Sequence, residues 1–139
     1  MTSLIDQILI ELNVSAVLAE ELDIWMQGKI DIFINGEKPY DNGEIVDIPI
    51  FLKSLESNGE FFIFCCHCGY AGCNGRTEGV KVFHEKNAIK WVDTFRDKIW
   101  HFDKNKIEED LKNINEEVKA YKTFFSKKEI NYVGFGYDL

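Results

Sequence analysis

The chain has 139 residues, the length of one ordinary domain, and is 45% hydrophobic and 14% aromatic. This composition excludes a disordered chain and predicts a packed core that needs no disulfide staples. The net charge is −8, with twelve acids and three lysines in residues 1–60 against twelve acids and thirteen bases in residues 61–139. Because such an acidic half repels phosphate backbones, the charge argues against nucleic-acid binding and favours a basic protein partner, although excess acid also keeps small domains soluble.

The amino terminus, MTSLIDQILIELN, has neither the basic start nor the uninterrupted apolar run of a secretory signal. The longest apolar runs, such as FFIFCC, are far shorter than the roughly 20 residues of a membrane helix. We therefore expect a cytoplasmic protein, a compartment in which clustered cysteines bind metal or stay reduced more often than they pair.

The first third of the chain contains two strand patterns. Strict alternation in QILIELNV (7–14) predicts a half-buried strand, with a short helix from Ser3 as the alternative. SAVLAEELDIW (15–25) is interpreted as a brief helical turn. KIDIFING (29–36) then predicts a second strand that ends at its Asn-Gly turn signal.

The middle of the chain predicts a short helix in DIPIFLKSLESNG (47–59), with Asp47 as its cap, Pro49 in the first turn and Asn58-Gly59 at its end. Its core-facing residues are expected to be Ile50, Phe51, Leu52 and Leu55. The following EFFIFCC (60–66) is apolar almost throughout, which predicts one central strand.

The second half of the chain predicts further strands and the best helix. GVKVFH (79–84) and AIKWVDTF (88–95) predict a hairpin, and KIWHF one more strand. A helix is predicted over 104–125 behind the cap Asp103, with Glu108 and Lys112 as an ion pair. Its apolar stripe consists of Ile107, Leu111, Ile114, Val118 and Tyr121. The tail INYVGFGYDL is expected to add an edge strand or to cover the core.

These elements predict a single α+β domain over residues 1–139. Its sheet is mostly antiparallel, and a long C-terminal helix and a shorter middle helix pack on it.

All four cysteines lie in the cysteine-rich loop, residues 65–76, which is also rich in glycine. Cys65 and Cys68 followed by glycine have the C-x2-C-G spacing of a zinc knuckle, whereas Cys66, Cys68 and Cys73 give C-x-C-x4-C. His84 is the best fourth ligand, because a hairpin would return it to the loop. The expected metal set is therefore Cys66, Cys68, Cys73 and His84, with Cys65 as the alternative ligand and one zinc or no cofactor bound.

Two other interpretations of the loop remain open. Thiol-redox chemistry would use the C-x-x-C spacing with His67 and Arg76 lowering a thiol pKa, but no helix is predicted to start after Cys68. Alternatively, buried reduced cysteines line a sharp loop that braces the fold. No catalytic residue is predicted, because His84 and His101 lack the surrounding signature of a cysteine hydrolase.

The stretch from residue 60 to residue 111 resembles a family of small uncharacterised bacterial proteins. The shared pattern is an aromatic strand, C-x-C-G-x-x-G-C-x-G, a G-V-x-V strand and a strand with tryptophan. The matching residues are Cys66, Cys68, Gly69, Gly72, Cys73, Gly75, Gly79, Val80, Val82 and Trp91. This resemblance favours the Cys66 spacing and implies no activity.

Size and acidity are those of immunity proteins, which cover a toxin domain and block it. By this analogy we expect a non-enzymatic acidic protein that binds a partner and has a structural cysteine loop. The alternative is a thiol-redox or zinc-dependent protein that uses the cluster from Cys65 to Cys73.

Overall fold

The computed structural model describes residues 5–20, 23–66 and 75–134, beginning with a long β-hairpin. Its strands are β1 (Ile8–Glu20) and β2 (Asp23–Ile34), which pair antiparallel along their whole length. The two strands are confirmed, and Asn35 and Gly36 both have positive φ in the predicted turn. The helical turn predicted for 15–25 is wrong, because Val17 and Trp25 are paired across the ladder in strands. Cross-strand pairing outweighs the weak local helix signal.

A short strand and a short helix follow the hairpin: β3 (Glu44–Val46) and α1 (Ile48–Ser54). The cap is confirmed, since the Asp47 carboxylate accepts the N–H of Ile50 at 3.2 Å. The helix ends at Leu55 and not at the predicted Asn58-Gly59, because the side chain of Asn58 accepts a backbone N–H from β6 (Val80–His84) instead. Of the predicted core residues, Phe51 is fully buried, whereas Ile50, Leu52 and Leu55 are half-buried.

The stretch EFFIFCC forms two strands, and the prediction of one central strand is wrong. β4 (Gly59–Phe61) is the edge of one sheet, and β5 (Phe64–Cys66) pairs with β3 in another. The chain turns between them at Ile63, whose carbonyl accepts the N–H of Asp47 at 2.7 Å and whose side chain is buried. Because all residues of this stretch after Glu60 are apolar, the sequence pattern does not show that the chain passes from one sheet to another.

The rest of the sheet agrees with the predictions. β6, β7 (Ala88–Asp93) and β8 (Lys98–Asp103) form an antiparallel meander, which makes a four-stranded sheet in the order β4-β6-β7-β8. α2 (Lys104–Lys127) starts at the predicted cap, and β9 (Asn131–Gly134) is the expected edge strand, parallel to β2. The α+β class, mostly antiparallel with a long C-terminal helix, is confirmed.

The core lies between the sheets and α2, around the fully buried Trp91. Four aromatic rings contact it, with centroids 5.0–6.5 Å away: Phe51, Phe64, Trp100 and Phe102. From the helix stripe, Ile107, Ile114 and Val118 are buried, whereas Tyr121 lies at the surface. Within the described ranges, no helix is long and apolar enough to cross a membrane.

Candidate functional site

The predicted metal ligands fall into three groups: buried cysteines, cysteines outside the described residues and a histidine at the end of a strand. Cys65 and Cys66 are buried in β5, with 3% and 8% of their surface exposed. Cys68 and Cys73 lie outside the described residues. His84 ends β6, about 13 Å along that strand from Val80, and its ring Nε2 lies 2.8 Å from the carbonyl oxygen of Ser54. β6 therefore places His84 beside the end of α1.

No group of three potential metal ligands comes together among residues 5–20, 23–66 and 75–134. Cys68 and Cys73, two of the four expected ligands, lie outside these ranges. The zinc set of Cys66, Cys68, Cys73 and His84, or Cys65 in its place, stays a prediction.

A buried ion-pair centre lies where the chain leaves the cysteine loop, and we call it the neck. Arg76 is 2% exposed. Its Nε donates to Glu44 Oε2 at 3.3 Å, and its Nη1 donates to Asp93 Oδ1 at 3.1 Å. Glu44 is also the β3 residue that stands opposite Cys66 in the ladder. One β3 residue therefore holds the chain on both sides of the loop.

The neck is stabilised further by rings and by a second arginine. The guanidinium carbon of Arg76 lies 4.6 Å from the ring centroid of Phe95, as in a cation–π contact. Arg96 donates to Asp41 at 2.8 Å and lies 3.7 Å from the second oxygen of Glu44. Charges buried this deeply persist only when they are paired and hydrogen-bonded, so removing one partner of the neck should be costly.

Sequence reasoning missed the neck. It considered Arg76 only as a cation beside thiols, and it assigned nothing to Glu44 or Asp93. A usable signal was present: Glu44 and Asp93 are isolated acids next to apolar strand residues, EIV and WVD. An acid in such a place requires a partner, because an unpaired buried charge is costly.

A second feature is a groove of about 330 Å³ between β1 and α2, which we call the β1 groove. It is lined by Leu9, Ile10, Glu11, Leu12, Asp110, Asn113, Ile114 and Glu117. Glu11 and Glu117 are exposed, and so is the side chain of Leu9. Two solvent-accessible carboxylates and an apolar side chain therefore share one groove.

The floor of the β1 groove is a strand edge. In the described part of its sheet, β1 is an outer strand. The N–H of Ile10 points away from β2 and donates to Asp110 Oδ2 at 3.0 Å, and Lys106 also contacts Asp110, at 2.6 Å. Because backbone groups alternate along an antiparallel strand, Leu12 presents its N–H and C=O at the same edge. The groove thus combines backbone hydrogen-bonding groups with carboxylates.

The acidic excess of residues 1–60 is only partly available to a partner. Asp31 is buried and accepts from Tyr40 and Asn13, and Asp47 caps α1. Glu44 and Asp41 belong to the neck. The net charge therefore overstates how many carboxylates a partner can reach. Each acidic residue has to be checked for burial and for existing partners.

Comparison of this chain with protein-family models, with curated proteins and with solved structures finds no match. The resemblance to a family of small bacterial proteins stays a prediction.

Proposed function

We propose that this protein is a non-enzymatic acidic binding protein that holds a basic, extended segment of a partner protein in the β1 groove. It would act as an immunity-type protein does, by covering a basic toxin domain, in the cytoplasm. The observation that carries this proposal is the presence of a strand edge and two exposed carboxylates, Glu11 and Glu117, in the same groove.

The strand edge supplies the general part of the affinity. An extended peptide that pairs with β1 beyond Ile10 would bond to backbone groups, whatever its side chains are. Ile10 itself is already satisfied by Asp110, so the added strand would start at Leu12. The exposed side chain of Leu9, which also lines the groove, offers an apolar contact to the partner segment.

The carboxylates supply the selectivity. Lys106 neutralises Asp110 at 2.6 Å, whereas Glu11 and Glu117 form no ion pair in the described part of the chain. A lysine or arginine on the partner would satisfy them, and a phosphate backbone would be repelled. A basic protein segment is therefore the occupant that this groove fits.

The test uses two fluorescent peptides of equal length, one alternating lysine with valine and one alternating glutamate with valine. We expect the wild-type protein to bind the lysine peptide, more tightly at low salt than at high salt, and not the glutamate peptide. The double variant Glu11→Gln, Glu117→Gln should weaken binding about twofold to thirtyfold, since each exposed charge pair is worth roughly 0.2–1 kcal/mol.

Two controls isolate the groove. Glu108→Gln with Glu109→Gln removes the same charge from exposed positions of α2 that do not line the groove. A lysine peptide N-methylated on alternate backbone nitrogens should not bind if it pairs as a strand. Equal loss in both double variants, or equal binding of the methylated peptide, would overturn the proposed mode.

The second candidate function is that of a zinc-dependent or thiol-redox protein. The observation that bears on it is that Cys65 and Cys66 are buried next to the neck. Elemental analysis of protein purified without chelator tests the metal. Less than about half a zinc per chain contradicts the site, since a closed structural site should be filled. Titration of the thiols against pH tests the chemistry, because an accessible cysteine with a pKa well below about 8.5 is required.

A further inference from the structure

The helix-facing side of the β1–β2 hairpin carries an apolar row that continues past the helix. The row starts at the buried pair Ile8–Ile34 and ends at the pair Leu18–Ile24. α2 buries the first pairs, but Leu18 is 67% and Ile24 51% exposed. Two large apolar side chains directly opposite each other, both in water, mark a surface that a further element would cover.

The end of α2 extends this exposed apolar surface. Tyr121 and Phe125 stack with Tyr132 of β9, and Phe124 packs edge-on against Phe125. Phe124 is 53% exposed, and a groove of about 550 Å³ runs over these rings. Tyr132 stands opposite Met26, two residues from Ile24 on the same face of the sheet. We call the exposed side chains Leu18, Ile24, Tyr121 and Phe124 the distal patch.

The two ends of the distal patch carry opposite charge. At the hairpin end the sequence is acidic, AEELD, and the Asp23 side chain is exposed. At the helix end Lys127 and Lys128 are exposed, and Lys128 lies 5.3 Å from the ring centroid of Phe124. A surface with an apolar centre, an acidic end and a basic end is complementary to itself when it is rotated by 180°.

We propose that a second copy of this chain covers the distal patch and forms a two-fold symmetric dimer. In this arrangement the acidic hairpin end of each copy meets the basic helix end of the other, while Leu18, Ile24 and Phe124 pack at the centre. The four exposed side chains offer roughly 400 Å², which is about half of the roughly 800 Å² per partner of a standard interface, so the charged ends have to supply the rest.

Sedimentation equilibrium over a dilution series tests the dimer. Wild-type protein should dimerise, and Phe124→Ser should raise the dissociation constant about tenfold or more, as expected for a central aromatic residue. Ile99→Ser is the matched control, because Ile99 is 59% exposed on β8 and outside the patch. Monomeric wild-type protein at every concentration, or equal effects of the two variants, would overturn the proposal.

The charge arrangement has its own test. Asp23→Lys and Lys128→Glu should each weaken the dimer, because each places like charges together, and the double variant should recover it. Circular dichroism and thermal unfolding of each variant separate loss of the dimer from loss of the fold. Failure of the double variant to recover dimerisation would overturn the two-fold arrangement. Because Glu117 lines both this groove and the β1 groove, the variant Glu11→Gln, Glu117→Gln is also checked for dimerisation, so that the two proposals fail separately.

Discussion

Glu44 and Arg76 close the neck of the cysteine loop. The Nε of Arg76 donates to Oε2 of Glu44 at 3.3 Å, and both side chains are buried. Because Glu44 also stands opposite Cys66 in the ladder, a single β3 residue contacts Cys66 near the start of the loop and Arg76 at its end. Both ends of the loop are therefore attached to the same strand.

Replacing Arg76 with methionine should destabilise the protein by about 3–5 kcal/mol, because Glu44 and Asp93 would remain buried without their cation. Urea unfolding measures this loss. Lys119→Met is the control, since Lys119 forms only an exposed pair with Glu116 at 3.7 Å and should change stability by less than about 0.5 kcal/mol. Equal effects of the two substitutions would show that the neck does not brace the fold.

Gly79→Ala should destabilise the protein by about 1–3 kcal/mol, as overpacking does. A Cβ at Gly79 would lie 2.7 Å from the backbone carbon of Phe61, and β4 cannot shift without losing its pairing to β6. Gly43→Ala provides the comparison, because no atom lies within 4 Å of a Cβ there. Thermal unfolding of the two variants should differ clearly, and identical midpoints would contradict this close approach.

Asp110→Ala should cost about 1–3 kcal/mol, since the buried N–H of Ile10 loses its acceptor and Lys106 loses its partner. Asp110→Asn keeps an acceptor oxygen and should cost less than the alanine variant. Glu109→Ala, an exposed neighbour on α2, should have almost no effect. Chemical denaturation measures the free energy of unfolding of the three variants. A loss of stability in Glu109→Ala as large as in Asp110→Ala would argue against this link between helix and strand.

The stability of the protein should depend on Tyr40 at alkaline pH. Burial, and then the negative charge of Asp31, raises the pKa of Tyr40 above its ordinary 10.0. The phenol therefore stays protonated in the folded state while it ionises in the unfolded chain, so the stabilisation is present below pH 10 and is lost as pH rises above it.

Tyr40→Phe removes this ionisation and the hydrogen bonds to Asp31 and Ile32. We expect the variant to be less stable by about 1–3 kcal/mol at neutral pH, and the difference from wild type to shrink above pH 10. Unfolding curves collected across this range provide the measurement. A difference that stays constant to about pH 11 would contradict the raised pKa.

The elements with strong local signals could be predicted from sequence. Asp103 and the stripe from Ile107 to Val118 specify α2, and the Asn35-Gly36 turn ends β2 where expected. The errors occur where a distant partner outweighs the local pattern. Residues 15–20 and 23–25 are extended because β1 and β2 pair there, and EFFIFCC divides because Ile63 bonds to Asp47.

The sequence by itself determined the α+β class, the N-caps of both helices, most of the strands and the acidic balance, because each depends on neighbouring residues or on composition. Only the tertiary structure decided which charges meet: Arg76 with Glu44 and Asp93, and Asp110 with Ile10 of β1, are contacts across 17 to 100 positions of the chain. Such contacts form because folding removes water from these groups, and a buried charge then needs whatever partner the topology brings near.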